Sequence, residues 1–133
     1  VNAATKFHAI TLGRLAIDKV NQALGTELDP GDVWLSPGAH RHIAVDHPDD
    51  YPFIMAVIAD VVAQPLYVGQ DPKHGRNFYI VRPLPAGAPN PHALVSIGLA
   101  RDEVGRYRVR TAYTISQDTV TARRSAKRLH VVI

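Results

Sequence analysis

Three histidines, His40, His42 and His47, fall within eight residues, in His40-Arg41-His42-Ile43 and then His47-Pro48. Imidazole is the one side chain whose ordinary pKa lets it take and give protons near neutral pH, so a cluster of this kind is where acid–base chemistry is to be sought. Work on a phosphate ester needs a group to take a proton from the nucleophile, another to give one to the leaving group, and cations for the developing charge. His42 or His47 with Lys73, Arg76 and Arg110 meets that inventory without a metal or other cofactor.

The competing reading is zinc, because His-x-His and a third imidazole can supply three nitrogen ligands. Helical spacing opposes it, since residues two apart point about 200° apart and His40 and His42 could share an ion only where the chain is irregular. The chain has no cysteine, which removes thiolate ligands, a cysteine nucleophile and disulfides together. Gly-x-Ser-x-Gly, the P-loop and the dinucleotide fingerprint are also missing, and Ser36 stands between Leu35 and Pro37. Each histidine also has a bland reading as a capping or half-buried structural residue, and Lys73, in a turn, can simply be solvated.

The elements that must position these residues follow from periodicity and turn signals. Residues 11–24 carry Leu12, Leu15, Ile17, Val20 and Leu24 at helical spacing with Gly25 as a C-cap, which predicts an amphipathic helix and a helical extension over residues 1–30. Residues 32–36 are strand-like. Ser36-Pro37 offers an N-cap with proline at the first helical position, so residues 37–45 form a short helix, and residues 49–64 a second one whose apolar positions run all the way round. Four strands then follow, over residues 66–69, 77–82, 93–99 and 106–116, with Asp118 as the cap of a basic segment over 119–129 and an apolar end over 130–133. The architecture expected is α+β: N-terminal helices packed on a four-stranded antiparallel sheet, in a single domain with its core over residues 31–133.

In the last strand, alternation groups Tyr107, Val109, Thr111, Tyr113 and Ile115 on one face and Arg108, Arg110, Ala112, Thr114 and Ser116 on the other. If the first set packs on the helices, the second exposes two arginines and two hydroxyls, a surface that suits phosphate. His40, Arg76, Arg108, Arg110 and Ser116 are accordingly the candidates to hold a substrate. The formal charge of +3 is uneven, with residues 1–66 at −4 and residues 67–133 at +7. A basic half of this kind attracts polyanions, RNA among them, although it can also be a solvated surface. The longest apolar run, over residues 53–63, falls short of the roughly 18 residues of a membrane span. The chain opens on Val1, which points to a larger parent polypeptide.

The run Val33-Trp34-Leu35-Ser36, His42-Ile43, His47-Pro48, an apolar helix, Pro65-Leu66-Tyr67-Val68-Gly69, Lys73 and Thr111-Ala112-Tyr113-Thr114-Ile115 resembles the phage and polymorphic-toxin branch of the barnase–EndoU–colicin–RelE-like nucleases. The resemblance covers about residues 31–129 through short motifs. It implies a metal-independent endoribonuclease, a toxin or effector domain acting in the cytoplasm of producer or target cell, with RNA as substrate and an acidic immunity or antitoxin protein as restraining partner. By that likeness His42, His47, Lys73, Thr111 and Tyr113 are the catalytic positions. Leu66 departs from the pattern, which more often has an acidic residue after the proline. Alternation and resemblance also disagree: the one turns Thr111 and Tyr113 to the core, the other wants them at the substrate, so either a bulge re-aims the strand or Arg110 and Ser116 do the work. Two rivals stay open, a non-catalytic nucleic-acid-binding module and a protein-interaction domain on the same scaffold.

Overall fold

Helical and extended segments follow one another nearly in the order the periodicity predicts, with additional strands at both edges of the sheet. The structure is a computed structural model and describes residues 7–132. The elements are β1 (Ile10–Arg14), α1 (Ile17–Leu24), β2 (Asp32–Leu35), α2 (Pro37–Asp46), α3 (Tyr51–Ala63), β3 (Tyr67–Gln70), β4 (Asn77–Pro83), β5 (His92–Gly98), β6 (Tyr107–Ile115), α4 (Gln117–Ser125) and β7 (His130–Val131). One seven-stranded sheet has the order β1-β2-β6-β5-β4-β3-β7. Neighbours are antiparallel except β2 and β6, which run parallel through Val33 opposite Tyr107 and Trp34 opposite Arg108.

The α+β class is as expected, but the sheet is mixed and seven-stranded rather than four-stranded and antiparallel. The central strands β3 to β6 are the expected meander. At one edge β1 was hidden by its own spacing: Leu12, Leu15 and Ala16 mimic a helix stripe, yet Gly13 sits at φ +101°, where the pairing of β1 with β2 shifts register. A glycine both disfavours helix and supplies that left-handed kink. At the other edge β7 is only two residues long, too short to leave a period. The expected helical extension over 1–30 is likewise corrected, since β1 joins the sheet and Leu12, Leu15 and Val20 enter the main core. Residues 1–6 of that extension, and Ile133 of the apolar end, lie outside the described residues.

Two apolar layers flank the sheet. On one face Val68, Phe78, Ile80, Val95, Ile97, Tyr107, Val109 and Ala112 pack with Val20, Ile43, Ile54, Ile58, Val61 and Val62 of the first three helices. On the other face Tyr79, Val81, Leu94 and Ile115 are covered by Val120 of α4 and by Leu129. The backbone at Arg128 crosses so close over Gly69 that a Cβ there would meet the Arg128 carbonyl at 1.9 Å. α4 therefore closes one part of the second face and leaves the part beside α2 open.

α2 and α3 are set where they are by caps and by one edge. Ser36 Oγ accepts from the Ala39 N–H at 3.1 Å, and Pro37 follows it, as the sequence predicts. Ile43 is fully buried and anchors α2; truncating such a residue to alanine costs ~2–5 kcal/mol. Beside α3, the Asp50 carboxylate accepts from both the N–H (2.9 Å) and the hydroxyl (2.8 Å) of Thr114. That bond satisfies a backbone donor that would otherwise stand unpaired along β6. α3 is less buried than its composition predicts, with Ala56, Ala59, Asp60 and Ala63 exposed. The helix α4 is capped by Ser116, whose Oγ accepts from the Thr119 N–H at 3.1 Å, rather than by Asp118, which lies in its first turn. Among the described residues no helix is long and apolar enough to cross a membrane.

Candidate active site

The open part of the second face exists because β6 contains a bulge. Ser96 of β5 pairs with Thr111 and Ile97 with Val109, so Arg110 is an extra residue on β6. An inserted residue reverses which side of the sheet the following side chains take. Tyr107 and Val109 thus pack against the helices before the bulge and Ala112 after it, while Thr111 and Tyr113 turn outward. This corrects the unbroken alternation that sends Thr111 and Tyr113 to the core and Ala112 and Thr114 away from it. It also sets Arg110 next to Thr111 on the same rim.

Into this rim α2 places His42. Its Nε2 is 3.1 Å from Thr111 Oγ1 and its Nδ1 is 2.8 Å from Asp46 Oδ2, one helical turn along. A carboxylate accepts only, so the neutral ring carries its proton on Nδ1 and Nε2 accepts from the threonine hydroxyl; the tautomer is assigned from this pattern. The imidazole is held at one nitrogen and offers the other to the rim. Its side chain remains 43% exposed, so a substrate can reach it.

Around it opens a cleft of about 700 Å³. Lys73, His74 and Arg76 come from the loop between β3 and β4, Tyr79 and Ser96 from the floor of the sheet, and Arg110, Thr111 and Tyr113 from β6. The loop is tied from beneath. Asp71 Oδ1 accepts from the N–H groups of Lys73 (2.8 Å) and His74 (3.1 Å), and Gln70 Nε2 donates to the carbonyls of Gly75 and Asn77, both at 2.9 Å. Asp-Pro at 71–72 is an ordinary turn signal, and the aspartate closes the turn on its own backbone. Burial opposes ionisation of Asp71, but these two backbone donors and the nearby Tyr79 hydroxyl outweigh it and hold the carboxyl below its usual range. The Tyr79 phenol is pushed far up, first by burial and then by its neighbours Tyr113 and Asp71. Tyr79 stays protonated and serves as a fixed hydroxyl at the cleft floor.

Of the residues singled out from sequence, His42, Lys73, Arg76, Arg110, Thr111 and Tyr113 meet in this cleft. His47 does not line it. It is the C-cap of α2, with its ring stacked on Tyr113 (centroids 5.2 Å apart) and edge-on to His42 (5.9 Å), so it backs both residues from behind. His40 lies elsewhere, 8% exposed, with Nδ1 accepted by the His8 carbonyl and Nε2 against the Tyr51 hydroxyl. His40 therefore does not reach the cleft expected to hold the substrate, because a regular helix turns it away from His42. Ser116 does not line the cleft either, since its hydroxyl caps α4. Arg108 lies outside the cleft, in the grooves beside it. In the basic stretch that follows β6, Arg123 and Arg124 lie over the rings of Tyr79 (4.9 Å) and Tyr67 (5.5 Å).

Asp46, Asp71, His74, Tyr79 and Ser96 were not singled out from sequence. Asp46 was legible, being four residues after His42 on a helix. His74 and Tyr79 needed the loop and the sheet face to be known. Among the described residues no three or more of His, Asp and Glu gather as a metal ion would require. Comparison with protein-family models, with curated proteins and with solved structures found no match.

Proposed function

We propose that this protein is a metal-independent endoribonuclease that cleaves RNA by attack of a ribose 2′-hydroxyl on the adjacent phosphate. The observation that carries the reading is the chain Asp46–His42–Thr111, ending on a cleft that Lys73, Arg76 and Arg110 also line. His42 Nε2 takes the proton of the 2′-hydroxyl once that hydroxyl replaces Thr111 as its partner. The O2′–P bond forms as the P–O5′ bond breaks, giving a 2′,3′-cyclic phosphate and a 5′-hydroxyl. The oxygen that leaves needs a proton from the loop side of the cleft, where His74 and Lys73 stand, and His74 is the group suited to the task near neutral pH. The three cations and the Tyr79 hydroxyl meet the charge that builds on the phosphoryl oxygens.

The test is incubation with total RNA in the presence of EDTA, followed by mass spectrometry of the new ends. Cleavage with 2′,3′-cyclic ends is expected, and a 2′-deoxy substitution at the cut position should abolish it. Binding without cleavage would instead indicate a nucleic-acid-binding module, and equal cutting of DNA would remove the 2′-hydroxyl from the mechanism.

A further inference from the structure

The cleft does not end at Arg110. A second groove of about 750 Å³ shares Gly75, Arg76, Asn77 and Arg110 with it and runs past Gly98 to Arg108. From Arg108 a shallower recess of about 300 Å³ continues to Trp34 and Val104. The Arg110 stem lies across Gly98 of the neighbouring strand, with its Cδ 3.8 Å from where a Cβ would stand, so the groove floor is backbone at that point.

The arginines here are of two kinds. Arg101 donates to the Pro30 carbonyl (3.1 Å) and the Asp29 carboxylate (3.2 Å), and Arg106 donates to Asp102 (2.8 Å) while lying 3.9 Å over the Trp34 ring. Both hold loops in place. The side chains of Arg76, Arg108 and Arg110 are exposed and make no hydrogen bond or ion pair with any described residue. One exposed guanidinium signals nothing, because water solvates it well. Three lie on a single path that starts at the His42 cleft, and of the two carboxylates that also line the groove Asp102 is taken up by Arg106, which leaves Glu103 alone against three guanidinium groups.

We propose that this second groove is a track for the backbone of single-stranded RNA, which leaves the cleft past Arg76 and Arg110, where these two arginines meet the cleaved phosphate, and is held by Arg108 at a phosphate beyond it. The Trp34–Arg106 stack lines the smaller recess that follows beyond Arg108. A single strand is the proposed occupant because in-line attack of a 2′-hydroxyl needs a backbone free to align the reacting atoms, which a regular duplex restrains. The proposal rests on the reading of the cleft as an RNA-cleaving site, and it makes binding depend on strand length.

The test uses the whole chain carrying His42→Ala to stop cleavage, with fluorescein-labelled single-stranded RNAs of two and eight nucleotides titrated by anisotropy across a salt series. The octamer is expected to bind more tightly and with the steeper salt slope. Arg108→Ala should lower the octamer slope by about 0.7 for the phosphate contact removed. Arg128→Ala removes the same charge from an exposed site at the opposite edge of the sheet and should lower it by less. Equal losses from the two variants, an unchanged slope in Arg108→Ala, or equal affinity for an eight-base-pair duplex would each overturn the track. Cleavage by the unmodified chain is assayed alongside: if RNA is cut yet Arg108 has no effect, only the track fails, whereas absence of both binding and cutting removes the ribonuclease reading with it.

Discussion

His40 and His42 stand two residues apart on α2, and the fold makes them different kinds of residue. Both have both ring nitrogens engaged. His40 gives Nδ1–H to the backbone carbonyl of His8 and accepts from the buried side at Tyr51, with its ring between Phe7 and Tyr51. Neither partner can be exchanged without opening the packing. His42 gives Nδ1–H to a half-exposed carboxylate and accepts from a hydroxyl on the rim of the cleft, which a substrate hydroxyl can replace. A histidine is a site when one of its partners is replaceable, and proximity in sequence does not decide that.

The sharpest way to break this comparison is to remove each ring in turn. His42→Ala is expected to lower single-turnover cleavage of saturating RNA by about 10²- to 10⁴-fold, the ordinary worth of a placed proton-transfer group, with little change in melting temperature. His40→Ala should do the opposite. It leaves the Tyr51 hydroxyl without its partner, a loss of ~1–3 kcal/mol of stability, and shows mainly in the melting curve. If His40→Ala abolished turnover in protein that still melts normally, or His42→Ala cut RNA at the unmodified rate, the two roles would have been assigned the wrong way round.

The sequence carried the cluster, the helix under it and the central meander, because Ser36-Pro37, the alternation of β4 to β6 and the Gly and Pro turns are local signals. What depended on one extra residue it carried only as one of two alternatives, raised by the conflict between alternation and the resemblance. The bulge at Arg110 leaves no mark in composition, yet it moves Thr111 and Tyr113 from the expected core to the rim and makes His42's hydrogen bond possible. Separating His40 from His42 was within reach, since helical spacing alone puts them on different sides. The loop residues Asp71 and His74 were not, because their significance depends on which strand face the turn overhangs. The short strands β1 and β7 escaped for a simpler reason, one looking like a helix and the other being two residues long.

A second measurement sharpens the His42 side of the comparison. Asp46 does not line the cleft and acts through the imidazole, so it is a positioning residue. At 53% side-chain exposure its charge is screened by water, and its effect must be well below that of His42 itself. Asp46→Asn is expected to lower kcat about tenfold, ~1.4 kcal/mol in the barrier, with KM nearly unchanged, and Asp46→Glu should recover part of the loss. A change confined to KM would mean that Asp46 shapes the substrate's seat rather than the ring.

The smallest expected effect concerns the other carboxylate of the site, Asp71, which is buried where Asp46 is open. Two backbone N–H groups and the Tyr79 hydroxyl prevail over burial and keep its carboxyl ionised further into acid than a free one. Because its folded pKa is depressed, the unfolded chain binds the proton first as pH falls. Its contribution to stability is therefore present above the ordinary carboxylate pKa of about 3.9 and is lost as pH drops from there through the folded value. Melting temperature followed from pH 7 to pH 2 should fall in the acid limb for the unmodified protein. Asp71→Asn should start lower at pH 7 and fall less steeply below about pH 4, because the titrating group is gone while a side-chain oxygen remains to accept the loop's N–H groups. Parallel curves would show that the loop carrying Lys73 and His74 is held by Gln70 and by packing, and that Asp71 is not its clamp.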